Sequence, residues 1–153
     1  MDAVDRKILA ELQSDGRLTI TELAERVRLS VSPCHRRVRD LERAGVISGY
    51  RAVLDPMAVN LGFETLIFIT MRDATRETIA AFEVAVTKVP HITLAQRLFG
   101  DPDYLLRVVA ADLTHFQRLY DDDLSTLPGV QRLTTTLVMK KVVDDRTLPI
   151  GAA

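Results

Sequence analysis

The stretch from Arg17 to Tyr50, RLTITELAERVRLSVSPCHRRVRDLERAGVISGY, constrains this chain more than any other. It reads as two short helices with a tight turn between them, then a turn and a strand. Thr19 and Glu22 have the spacing of a capping box, and Leu18 before the cap is placed to staple onto Leu23. Ile20, Leu23, Ala24 and Val27 then face inward. That helix has only about two turns, too few to stand without neighbours. The next helix has two possible caps, Ser30 and Ser32. Ser30 is preferred because it shortens the turn and still leaves Pro33 in the first turn, where its missing N–H costs nothing. Cys34, Val38 and Leu41 make the buried side. Ser32, His35, Arg36, Arg39 and Arg43 lie opposite, with Arg37 flanking. Ala44-Gly45 closes the helix.

From Arg28 to Arg43 five arginines face only Asp40 and Glu42, a local balance of +3 on a chain whose net charge is −1. A charged helix face is ordinarily just solvated. Here the excess has one sign and follows a short capped helix and a tight turn, the helix-turn-helix arrangement. Arginine on such a helix reaches phosphate and the O6/N7 edge of guanine. The near-neutral whole excludes a generic polycation and suits a localised nucleic-acid contact.

Around this stretch, residues 2–14 predict a helix with Val4, Ile8, Leu9 and Leu12 on one stripe. Residues 46–54 read as extended, a wing hairpin or a strand leaving the domain. Asp55-Pro56 breaks that run, so residues 1–55 are expected to form one domain and 56–62 a linker. Residues 63–153 are expected to form a second domain. Its pattern is strand 65–71, helix 75–89, strand 92–99, strand 104–111, helix 113–126 and strand 130–142. The order is β-α-β-β-α-β, so the expected class is α+β, a winged helix-turn-helix followed by a ferredoxin-like βαββαβ domain. In helix 113–126, Leu113, Phe116, Leu119 and Tyr120 are expected to face inward with Leu127. Strand 65–71 is apolar on both sides, and a one-sided helix layer leaves one face to cover. A second copy of the chain is the expected cover.

Cys34 is the only cysteine, which rules out an internal disulfide and a cysteine-rich zinc site and fits a reducing cytosol. The start, MDAVDRKIL, has no apolar h-region, and no run of about 18 apolar residues is present. Cys34 and His35 are adjacent on a helix and diverge by about 100°, while His91 and His115 have no ligand spacing. No metal site is expected. Gly100-Asp101-Pro102-Asp103-Tyr104 has turn chemistry, yet its two carboxylates are also suited to a small molecule's amino group. Asp121-Asp122-Asp123 reads as a solvated helix face.

The segments DRKILAELQSDGR, TELAERV, LSVSPCHRRVRDLE, AGVISGYRAVLDP, GDPDYLLRV and LPGV closely resemble the Lrp/AsnC (leucine-responsive, feast/famine) transcription regulators, over about residues 2–149. The resemblance implies a non-enzymatic, sequence-specific DNA-binding regulator with no cofactor and an amino-acid effector. It also implies homodimers assembling to tetramers or octamers, in the cytoplasm on the nucleoid and off the membrane. Carried over by position, the DNA contacts would be Thr19, Thr21, Arg28, Ser30, Ser32, Pro33, His35, Arg36, Arg37 and Arg39. The effector would meet Leu98, Gly100, Asp101, Pro102, Asp103 and Tyr104, with Thr134, Thr135 and Thr136 approaching from a neighbouring subunit. Arg28 departs from the pattern, since the family often has glycine there. A positive φ is costly for arginine, so either the turn differs or Arg28 adds a phosphate contact. Two alternatives follow from the same likeness: an architectural DNA-wrapping protein with little effector response, and the related sirohaem decarboxylase-like enzymes. The latter do not need the DNA-reading face that this chain retains.

Overall fold

In the computed structural model, which describes residues 1–150, the chain forms two compact units. One is Met1–Val53 together with the tail from Val143, and the other is Leu54–Val142. The sequence alone assigned that tail to the C-terminal domain. Its docking partners lie at the other end of the chain, where no local pattern announces them.

The first unit holds α1 (Ala3–Ser14), α2 (Ile20–Val27) and α3 (Val31–Arg43). Each start is set locally. Asp2 caps α1 in a reciprocal box with Asp5, and Thr19 does the same for α2 with Glu22. Ser30 is the N-cap of α3, as preferred, although its hydroxyl makes no capping hydrogen bond. The end of α3 is a Schellman turn. Gly45, at φ 69°, lets its own N–H donate to Glu42 C=O while the Val46 N–H donates to Leu41 C=O. The three helices close on Ile8, Leu23 and Cys34, all fully buried, with Leu9, Ala24, Val27, Val38 and Leu41 around them. Burial raises the Cys34 thiol pKa, which keeps it an inert core residue. An ion pair between Arg26 and Glu11, at 3.0 Å, ties α2 to α1.

Residues 46–54 form no strand, so the expected wing is not present as a paired element. The unit offers this segment no ladder partner, and the Val46 and Ile47 N–H groups instead donate to Leu41 C=O.

The second unit begins with a turn at 56–60, where the Asp55 carboxylate accepts from the Met57 N–H. It then runs β1 (Phe63–Met71), α4 (Arg76–Val86), β2 (Ile92–Arg97), β3 (Tyr104–Ala110), α5 (Leu113–Leu119) and β4 (Val130–Leu137). The strands form one antiparallel sheet in the order β2-β3-β1-β4, the βαββαβ arrangement. Thr65, Ile67, Ile69 and Met71 of β1, with Tyr104, Leu106, Val108 and Ala110 of β3, point to the buried side. There they meet Phe82 and Val86 of α4 and Phe116 and Leu119 of α5. Phe82 stacks on Tyr104 with ring centroids 4.6 Å apart.

Three details differ from the sequence pattern. A π-helical turn, Tyr120–Leu124, follows α5 directly, carries Asp121 to Asp123, and buries Leu124. Leu113 is exposed, because Asp112 caps the helix one residue before it and turns it to the outer side. β4 stops at Leu137, beyond which the chain is held by Val138 N–H to Glu64 C=O and by the Lys141–Glu64 ion pair.

A candidate DNA-reading face and a candidate ligand turn

Helix α3 sorts its residues by period. Cys34, Val38 and Leu41 seal the core, while Ser32, His35, Arg36 and Arg39 are exposed on the outer side. Among the described residues the guanidinium groups of Arg36 and Arg39 have no hydrogen-bond or ion-pair partner within the chain. Arg43 is different: it pairs with Asp40 at 2.6 Å. Thr21, Arg28 and Ser30 are also exposed, and Pro33 is half-buried in the first turn of α3.

Two of the expected contacts are already engaged. The Thr19 hydroxyl donates to the Glu22 carboxylate at 2.7 Å and accepts from its backbone N–H. Arg37 is the second. Its Nη1 donates to Asp2 at 2.8 Å and to Asp5 at 2.7 Å, so its charge ties α3 to the start of α1. The Asp2 carboxyl is held below its ordinary pKa, first by the Asp5 backbone N–H and then by the Arg37 guanidinium. Arg28 adopts the left-handed conformation, φ 58° and ψ 47°, and its N–H closes α2 on Ala24 and Glu25. The turn therefore keeps the geometry that glycine would give it, at the expense of strain on an L-residue.

The ligand turn is pinned at its base. Leu98 N–H donates to Asp103 C=O at 2.7 Å, and Asp103 N–H donates to Ile69 C=O at 2.9 Å. The Asp103 carboxylate accepts from the Met71 N–H at 2.7 Å. Tyr104 is only 3% exposed, and its hydroxyl donates to Glu83 at 2.8 Å. Burial and that carboxylate push its pKa up to about 12. Asp103 and Tyr104 thus hold the turn through bonds within the chain. Asp101 remains exposed, 4.0 Å from Arg132 of β4, and Leu98, Gly100 and Pro102 complete the turn. The three threonines split by strand alternation. Thr134 pairs with Phe68 and Thr136 with Leu66 on the open side of the sheet, whereas Thr135 pairs with Ile67 on the helix side.

One pairing had no signal in the sequence. The rings of His91 and His115 meet edge to face at 4.8 Å. His91 Nδ1–H donates to Val109 C=O, and His115 Nδ1 accepts from Ala111 N–H, so each tautomer is set by its backbone partner. Among the described residues no group of three or more His, Cys, Asp or Glu is placed to hold a metal ion.

Comparison with known proteins meets these two units from both ends. The winged helix-turn-helix DNA-binding family model matches residues 1–48, and the Lrp/AsnC ligand binding domain model matches residues 64–148. The chain is 40% identical to the leucine-responsive regulatory protein of Rhizobium meliloti over 94% of its length and 92% of the relative's. It is 39% identical to the protein of that name from Escherichia coli K12, over 98% and 92%. A transcriptional regulator from Neisseria meningitidis, solved in complex with L-Met, superimposes with a TM-score of 0.93 at 39% identity, covering 98% of this chain and 97% of that one. An AsnC family regulator from Agrobacterium tumefaciens follows at a TM-score of 0.92 and 33% identity, over 98% and 97%. This chain therefore belongs to the Lrp/AsnC family of transcription regulators, joining a helix-turn-helix DNA-binding unit to that family's ligand-binding domain.

Proposed function

We propose that α3 reads DNA through Ser32, His35, Arg36 and Arg39, with Arg28, Ser30 and Thr21 toward phosphate. The observation that carries this is the pair of exposed, unpartnered guanidinium groups at Arg36 and Arg39, opposite a sealed core side. A guanidinium with no internal carboxylate keeps its full charge and its planar fork for phosphate or guanine. Arg37 and Arg43 lack that freedom.

The effector in this reading is an amino acid, whose ammonium group is met by the exposed Asp101 carboxylate at the pinned turn. The L-Met complex of the Neisseria regulator supports the chemical class. Assembly with a second copy covers the open side of the sheet, where Leu66, Phe68 and Leu105 are only half-buried and the Arg107 Nε is enclosed without a partner. The place of action is the cytoplasm, where bacterial DNA lies.

The test is a gel-shift titration on the gene's own upstream region at fixed salt. Arg36→Ala and Arg39→Ala are each expected to weaken binding by about 1–3 kcal/mol if they read a base. If either contacts only phosphate, it instead lowers the salt slope by about 1. Assembly, read by light scattering, stays as in the wild type. Undiminished affinity and an unchanged slope for both variants would remove these residues from the contact.

A further inference from the structure

The helical unit carries a groove that the DNA-reading face does not use. It has a volume of about 870 Å³ and is lined by the end of α1, including Leu12 and Gln13, by Val46 and Tyr50 of the segment after α3, and by Leu148 and Ile150 of the tail. The tail is engaged there at three points. The Leu148 N–H donates to Gln13 Oε1 at 2.7 Å, and the Leu148 C=O accepts from Gln13 Nε2 at 3.2 Å. One glutamine side chain thus supplies the donor and acceptor that a neighbouring strand would supply. Ile150 packs against the core cluster of the three helices. Asp145 accepts from Arg51 at 2.9 Å.

We propose that residues 143–150, which form one wall of this groove through Leu148 and Ile150, are a docked segment of the helical unit. Docked, the tail works as a latch that steadies α1 and residues 46–53 against the core supporting α3. The sequence itself argues for this arrangement. Lys141 is ion-paired to Glu64 at the root of β1, and only Val142, Val143 and Asp144 separate it from Asp145, the first of the groove contacts. The Arg51–Asp145 pair is highly exposed and contributes little. The Gln13 pair and Ile150 carry the docking. Releasing them removes no DNA-facing group, so the latch acts on how firmly α3 is held and not on the number of phosphate contacts. The effect on DNA rests on α3 being the reading helix, whereas the docking itself does not.

The test compares the full-length wild type with Gln13→Ala and Ile150→Asp. Hydrogen exchange of residues 46–53 and 143–150 is expected to speed up by about tenfold, since local opening governs such amides. DNA affinity at fixed salt is expected to fall by about three- to tenfold with an unchanged salt slope, because no counterion-releasing contact is lost. Unchanged exchange in both variants overturns the docking. Faster exchange with unchanged DNA affinity overturns the latch. Protection that rises with protein concentration assigns the groove to the tail of a second copy and overturns the intramolecular assignment. A wild type that binds no DNA would sink the reading face and the latch's role together, while exchange would still report whether the tail is docked.

Discussion

Replacing Arg28 by glycine tests the geometry of the helix-turn-helix directly. Arg28 sits at φ 58° and ψ 47°, and its N–H closes α2. An L-residue in this region costs about 1–2 kcal/mol. Glycine relieves that cost but returns about 0.5–1 kcal/mol through the greater entropy of its unfolded chain. The Arg28 side chain is exposed and has no partner among the described residues, so nothing else is lost from the fold. The net gain is about 0.5–1 kcal/mol, and at about 2–4 °C per kcal/mol for a chain of this size the midpoint rises by about 1–4 °C. Thermal unfolding followed by far-ultraviolet circular dichroism reads it. Arg28→Asn is expected to fall between arginine and glycine, and Arg28→Val, with its branched Cβ, below arginine. DNA binding moves the other way, because the glycine variant loses about 0.9 from the salt slope if Arg28 reaches a phosphate. A glycine variant less stable than the wild type, with valine no worse, would refute the strain argument.

Arg37→Ala separates the ion-paired arginine from the two proposed to read DNA. It is expected to destabilise the helical unit slightly, because exposed ion pairs are individually weak although one of its two partners is half-enclosed. The salt slope of DNA binding should not move, and a slope lowered by a full contact would return Arg37 to the DNA face. Tyr104 makes a pH statement. Its folded pKa, about 12, lies above the ordinary tyrosine value of 10.0, so its share of stability is intact below pH 10 and is lost as the pH climbs toward 12. Difference absorbance of the phenolates in wild type and Tyr104→Phe should show one tyrosine titrating near 12, and a Tyr104 midpoint near 10 would contradict its burial against Glu83.

What was legible in the sequence was local. The caps at Thr19 and Ser30, the buried trio Cys34, Val38 and Leu41, and the glycine that ends α3 all depend on residues within one or two turns of each other. The βαββαβ order was legible for the same reason, since each element announces its own period. What the sequence hid is long-range. Arg37 looks free until α1 brings Asp2 and Asp5 beside it. Asp103 and Tyr104 look unengaged until the sheet offers the Met71 N–H and α4 offers Glu83. Gln13 and Leu148 are 135 residues apart and neither belongs to a motif. The π-helical turn escaped because one added residue in a helix leaves the apolar spacing almost unchanged.

The division of Thr134, Thr135 and Thr136 across the two sides of β4 bears on how a ligand can use them. Three consecutive hydroxyls invite the picture of a single polar strip, yet a strand offers every second residue to a given side. Thr134 and Thr136 are therefore separated by a two-residue rise of about 6.8 Å, and only a group lying between them on the open side can meet both hydroxyls. Thr135 points to the other side of the sheet. The row is two addresses on one side and one on the other.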